Sequence, residues 1–212
     1  MILLAGGDSF TRGNDLPDCD ESRFSRLSWS ALLAEQYNMD YNCVAEGGAS
    51  NTTIARKVMQ YLDNKDAVDR VEVMWTFPVR HELLLRYDYK KDLKKDYINI
   101  SPSHLESDSI MISEFAKSLL TLASREYHEQ QSLFAMYSLT SYLKSKGISY
   151  RYSAATVQVY EMLAKDHFLK IDAEWYRHGE GFYDWAKLKG YELSQWHHPI
   201  AQAHRDWIDG KI

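Results

Sequence analysis

The residues able to do chemistry fall into four short blocks. The first is Gly7-Asp8-Ser9, directly after an apolar run from Ile2 to Gly6. A serine hydroxyl at the end of a buried first strand is held at the rim of a sheet, where a base can reach it. A serine in the same place can also cap a turn or start a helix. The second block runs from Asn42 to Asn51 and contains Gly47-Gly48. Glycine lets the backbone approach a ligand closely, so Gly48 is a candidate main-chain donor to an oxyanion. Ser50 or Asn51 can cap the helix that follows. In the third block, Trp75-Thr76-Phe77-Pro78-Val79-Arg80-His81-Glu82, Thr76 can donate into the same crevice. Arg80 can hold an anionic group or brace a loop. The fourth is His197-His198-Pro199, with His204 close behind. A histidine before a proline-started helix projects over a sheet edge. Three histidines so close also invite a metal, but adjacent His side chains seldom converge on one ion, and the usual carboxylate or thiolate spacing is missing. We therefore expect no metal and no cofactor.

These blocks need a scaffold, and the rest of the chain describes one. Short apolar runs at 2–6, 41–45, 70–77 and 148–154 read as strands, with 168–171 as a fifth. Helical patterns cover 25–38, about 51–62 and 112–146, the last as one long helix or two joined ones, and a final one begins near Pro199. Strands alternating with helices predict a three-layer α/β/α sandwich around a parallel, flavodoxin-like sheet of about five strands. In such a sheet a ligand lies beyond the carboxyl ends of the strands, where the first three blocks fall. The 212 residues read as one domain, carrying an insertion at about 86–108 and an aromatic loop at about 172–196.

Composition narrows the function classes. With 45% hydrophobic and 26% charged residues the chain can build a full core. A net charge of −5 argues against a broad grip on nucleic acid. Two cysteines in unlike contexts, Cys19 and Cys43, require no disulfide. No segment is long and apolar enough for a transmembrane helix, and Met1–Ala5 lacks the basic start of a signal peptide. The expectation is a cytoplasmic protein with no membrane partner.

Taken in order, the blocks resemble those of the SGNH/GDSL hydrolase family. Gly7-Asp8-Ser9 matches the first family block, Gly48 the second and His198-Pro199 the histidine of the last, across residues 2 to about 208. The variant type is similar to phage-encoded SGNH-like proteins. The resemblance implies a serine esterase. Ser9 would be the nucleophile and His198 the base. Gly48 and Thr76 would lie in the oxyanion hole, and Asn51 and Arg80 near the substrate. Two departures matter: Trp75-Thr76-Phe77-Pro78 replaces the Asn block, and Gln195 stands where an Asp should precede the histidine. Gln195 or Asp184 would then orient the imidazole. The substrates implied are small-molecule or glycan esters, O-acetylated carbohydrate among them, because the loop with Trp175, Tyr176, Phe182, Tyr183, Trp185 and Trp196 precedes His198. The alternative is a catalytically degenerate binding or accessory protein on the same scaffold.

Overall fold

The computed structural model describes residues 1–64, 67–84, 97–165 and 171–209. The first apolar run forms β1 (Ile2–Gly6), followed at once by a single helical turn, α1 (Ser9–Arg12). After α2 (Trp29–Gln36) come β2 (Asp40–Cys43), α3 (Asn51–Asn64) and β3 (Arg70–Trp75). An antiparallel ribbon, β4 (His81–Leu84) with β5 (Tyr97–Ile100), pairs His81 with Ile100. Then follow α4 (Ile110–Leu122), α5 (Arg125–Lys146), β6 (Ser149–Ala154) and α6 (Gln158–Lys165). The described chain ends with β7 (Glu174–Trp175), α7 (Phe182–Leu188) and α8 (Ala201–Asp209).

Five strands form one sheet in the order β2-β1-β3-β6-β7, every pair parallel. This is the doubly wound, flavodoxin-like order, whose switch point lies between β1 and β3. Alternation along the strands sorts the core. Leu4, Val71, Val73 and Trp75 pack against α3, α5 and α6 on one face. Leu3 and Ala5 meet α2 on the other face, where Met74 also joins α2, α7 and α8 around Trp29, Phe182, Trp185 and Trp207. Both faces are thus covered, as parallel sheets require.

Several boundaries are set by the structure. The 112–146 span, expected as one long helix or two joined ones, is two helices, because Ser124 leaves helical backbone and caps α5 by accepting the Tyr127 N–H at 3.2 Å. The predicted 25–38 helix starts only at Trp29, because Ser25 is tied back to the Arg12 carbonyl. The fifth strand is Glu174–Trp175 rather than 168–171, of which 168–170 lie outside the described residues. The expected aromatic loop contains β7 and α7, and Tyr176, Phe182 and Trp185 are buried in the core. Of the span 86–108 expected as an insertion, residues 86–96 lie outside the described residues, and Tyr97–Ile100 forms β5 of the ribbon with β4. Among the described residues no helix is long and apolar enough to cross a membrane.

Candidate active site

Ser9 is the first residue of α1 and is almost fully buried. The turn holding it is tightly specified. Asp8 caps it by accepting the Phe10 N–H at 3.0 Å, and Gly13 ends it in a left-handed conformation with φ 77°. Gly7 has no room for a side chain, since a Cβ there would stand 2.0 Å from Thr11 Oγ1. The loop after β2 is drawn to the same place by the Glu46 N–H, which donates to the Gly7 carbonyl at 3.2 Å. Gly48 in that loop has φ +73°, a conformation glycine adopts without penalty, and its Cβ direction faces open space. The N–H groups of Ser9 and Gly48 find no acceptor among the described residues.

The third block is used differently from what its position suggests. Thr76 Oγ1 donates to Asp8 Oδ2 at 2.6 Å, and Arg80 Nη1 donates to the same oxygen at 2.8 Å. Asp8 is wholly buried, so this pairing balances its charge across the switch point. Arg80 lies over the Phe77 ring, 4.9 Å from its centroid. Asn51 clamps the Thr76 backbone from both sides, accepting its N–H at 2.8 Å and donating to its carbonyl at 3.1 Å. A further Asn51 bond runs to Ser132 Oγ at 3.0 Å. Thr76 Oγ1 and Arg80 Nη1 therefore tie the end of β3 to Asp8 after β1, and Asn51 ties it to α3 and α5.

His198 reaches this rim from the loop before α8. Its ring meets Phe10, the residue after Ser9, edge to face at 5.5 Å. Its Nδ1 lies 2.7 Å from Asp15 Oδ2, and that oxygen also accepts the Ser194 hydroxyl at 2.5 Å. Ser194 Oγ in turn accepts the backbone N–H groups of His198 and Trp196, both at 3.1 Å. Burial raises the Asp15 pKa, but the Ser194 hydrogen bond and the His198 ring outweigh it, leaving the carboxyl below its usual value. The imidazole is thus held by Asp15, two residues beyond the α1 stop. Gln195 is exposed and does not touch the ring, and Asp184 instead accepts the Val157 N–H at 2.7 Å. Ser9 Oγ and His198 Nε2 have no hydrogen-bond partner among the described residues, so both stay available for a reacting group.

Sequence reasoning missed Asp15 because no spacing rule links a loop acid to a histidine 183 positions later. Its one local sign is the Gly13-Asn14 turn, which leaves Asp15 at φ 65° and turned toward the rim. His204 belongs elsewhere: it is buried, accepts the Trp29 N–H at 3.1 Å, and burial pushes its pKa down to about 3.

No protein-family model matches the sequence, and no curated protein does either. Solved structures do. A lipolytic protein of the G-D-S-L family from Desulfitobacterium hafniense DCB-2 superposes with a TM-score of 0.57 at 10% identity, covering 98% of this chain and 95% of that one. The esterase EstA from Pseudoalteromonas sp. gives 0.54 at 10% identity, covering 98% and 92%. A family two carbohydrate esterase from Clostridium thermocellum, solved with cellohexaose, gives 0.51 at 13% identity; this chain covers 61% of it and is itself covered to 98%. At these identities the likeness is one of fold, extending over nearly the whole chain. The chain has the SGNH/GDSL hydrolase fold.

Proposed function

We propose that this protein is a serine esterase in which Ser9 attacks an ester carbonyl and His198 is the base. The observation that carries the reading is the 2.7 Å contact of Asp15 with His198 Nδ1, on a ring packed against the residue that follows Ser9. A carboxylate on Nδ1 leaves Nε2 unprotonated and free to accept the serine proton. As Ser9 Oγ bonds to the carbonyl carbon, its proton passes to His198 Nε2 and the carbonyl oxygen becomes an oxyanion. The N–H groups of Ser9 and Gly48 are the main-chain donors available to it. Collapse expels the alcohol, which leaves with the proton from His198. Water then attacks the acyl-serine by the reverse proton path and releases the acid.

For the substrate we favour an acylated sugar. Of the aromatic residues before His198, Trp196 is 68% exposed and Tyr183 is half-buried, stacked on Phe10 at 5.9 Å. Flat aromatic faces at a rim suit a pyranose ring, and one fold neighbour is a carbohydrate esterase. One observation favours the second reading, a binding protein without turnover: Thr76, the polar side chain of the third block, is committed to Asp8.

A fluorophosphonate probe and p-nitrophenyl acetate separate the two. Covalent labelling and turnover, both lost in Ser9→Ala, support the esterase. Absence of both in the wild type, with retention on an acetylated-glycan array, supports the binding protein.

A further inference from the structure

We infer that Asn14 is the side-chain donor of the oxyanion hole, standing in for the Asn block this chain lacks; the inference rests on the Ser9–His198 reading. A hole built only from the two main-chain N–H groups leaves one side of the developing charge without a donor. The second- and third-block donors Asn51 and Thr76 are spoken for, and the charge of Arg80 is balanced by Asp8. Thr76 Oγ1 donates to Asp8, Arg80 pairs with Asp8, and Asn51 is bonded to the Thr76 backbone and Ser132.

Asn14 differs from all of them. Its backbone N–H donates to the Ser9 carbonyl at 2.9 Å, which fixes it one turn past the nucleophile. Its side chain reaches across to the second block, where a methyl group on Gly47 would stand 3.0 Å from Asn14 Nδ2. The amide therefore lies between the Ser9 turn and the Gly47-Gly48 loop, the two segments whose Ser9 and Gly48 N–H groups have no acceptor among the described residues. Neither end of that amide has a partner among the described residues, and Oδ1 is buried without one. A buried polar atom left unpaired is unfavourable, and an apolar side chain of the same shape would fill the space at less cost. A packing role thus accounts poorly for an amide here. A donor role accounts for it, because Nδ2, which has no acceptor among the described residues and is not enclosed as Oδ1 is, is left to donate to the substrate carbonyl oxygen as that oxygen gains charge. The donor is also neutral, which suits a site already holding Asp8 and Asp15. It asks no proton of the enzyme: Asn14 only donates hydrogen bonds, and the proton path stays Ser9 to His198.

The test uses the full-length protein with p-nitrophenyl acetate. Asn14→Ala is expected to lower kcat about 10²–10³-fold, with KM changed less than threefold and the melting temperature within a few degrees of wild type. Asn14→Asp, nearly isosteric, is expected to lose at least as much, because a carboxylate repels the oxyanion. Gly47→Ala, which leaves the amide intact but displaces it, is expected to lose kcat as well, and serves if the Asn14 variants fail to fold. Wild-type kcat in Asn14→Ala and Asn14→Asp overturns the inference, as does wild-type kcat in Gly47→Ala where the Asn14 variants do not fold. In those cases the esterase reading stands so long as Ser9→Ala abolishes labelling. Retained labelling in Ser9→Ala brings down both.

Discussion

Asp15 Oδ2 and His198 Nδ1 lie 2.7 Å apart although 183 positions of chain separate them. The pair joins the loop after the first strand to the loop before the last helix. Ser194 locks the pair by donating to Asp15 while receiving the His198 N–H. In the proposed site the carboxylate on the imidazole comes from the loop after α1, near the serine, and not from the block just before the histidine.

Replacing that carboxylate tests the arrangement. Asp15→Asn is expected to lower kcat by as much as about 10⁴-fold, because the amide favours the wrong tautomer of His198. KM should change little, and Asp15→Glu should recover part of the rate. Because the Asp15 carboxyl is held below its ordinary value, its own protonation should limit activity only below about pH 4. An unchanged pH profile and rate in Asp15→Asn would leave the contact purely structural.

A second pair lies outside the site. His81 and His128 are buried, and their ring nitrogens, His81 Nε2 and His128 Nδ1, share a short hydrogen bond. Burial, with the neighbouring His128 charge, pushes His81 down to about 4, and burial also lowers His128. These groups stay neutral when folded but take up protons near pH 6.5 when unfolded. Their contribution is therefore complete above about pH 6.5 and lost as pH falls toward 4. His204 acts in the same direction. Melting temperature measured from pH 7.5 to 4 should fall, and fall less steeply in His81→Gln.

The buried Asp8 needs its cation. Arg80→Met removes it and leaves a charge with no counterion, at a cost of about 3–5 kcal/mol. Thr76→Val removes one hydrogen bond and should cost about 1–3 kcal/mol. Urea denaturation of the two variants ranks them. A smaller loss for Arg80→Met than for Thr76→Val would show that the ion pair is not what holds β1 to β3.

Trp196 offers a test of substrate class. With 68% of its surface exposed it contributes little to the core, so Trp196→Ala should melt within a few degrees of wild type. On an acetylated oligosaccharide, KM should rise about tenfold, as loss of one stacking contact of about 1.4 kcal/mol would give. On p-nitrophenyl acetate, KM should stay put. Equal effects on both substrates would remove the sugar-stacking role.

What the sequence determined by itself was the scaffold and the places of Ser9 and His198, the two ends of the proposed site. Continuous apolar runs of strand length, broken by glycines and alternating with helical periodicity, define a parallel sheet through local chemistry alone. β1 and its Gly7-Asp8-Ser9 turn could be read directly, because Gly7 and Gly13 are required by close contact and backbone conformation within a few residues. The burial of Phe182 and Trp185 was decided at the level of packing, which local pattern does not encode. Only the tertiary structure decided which polar groups face one another. It turned Thr76, Arg80 and Asn51 inward onto Asp8, the β3 backbone and Ser132, and it carried Asp15 to His198. Such pairings depend on where a fold returns the chain, and a loop acid carries no mark of the partner that the fold will bring to it.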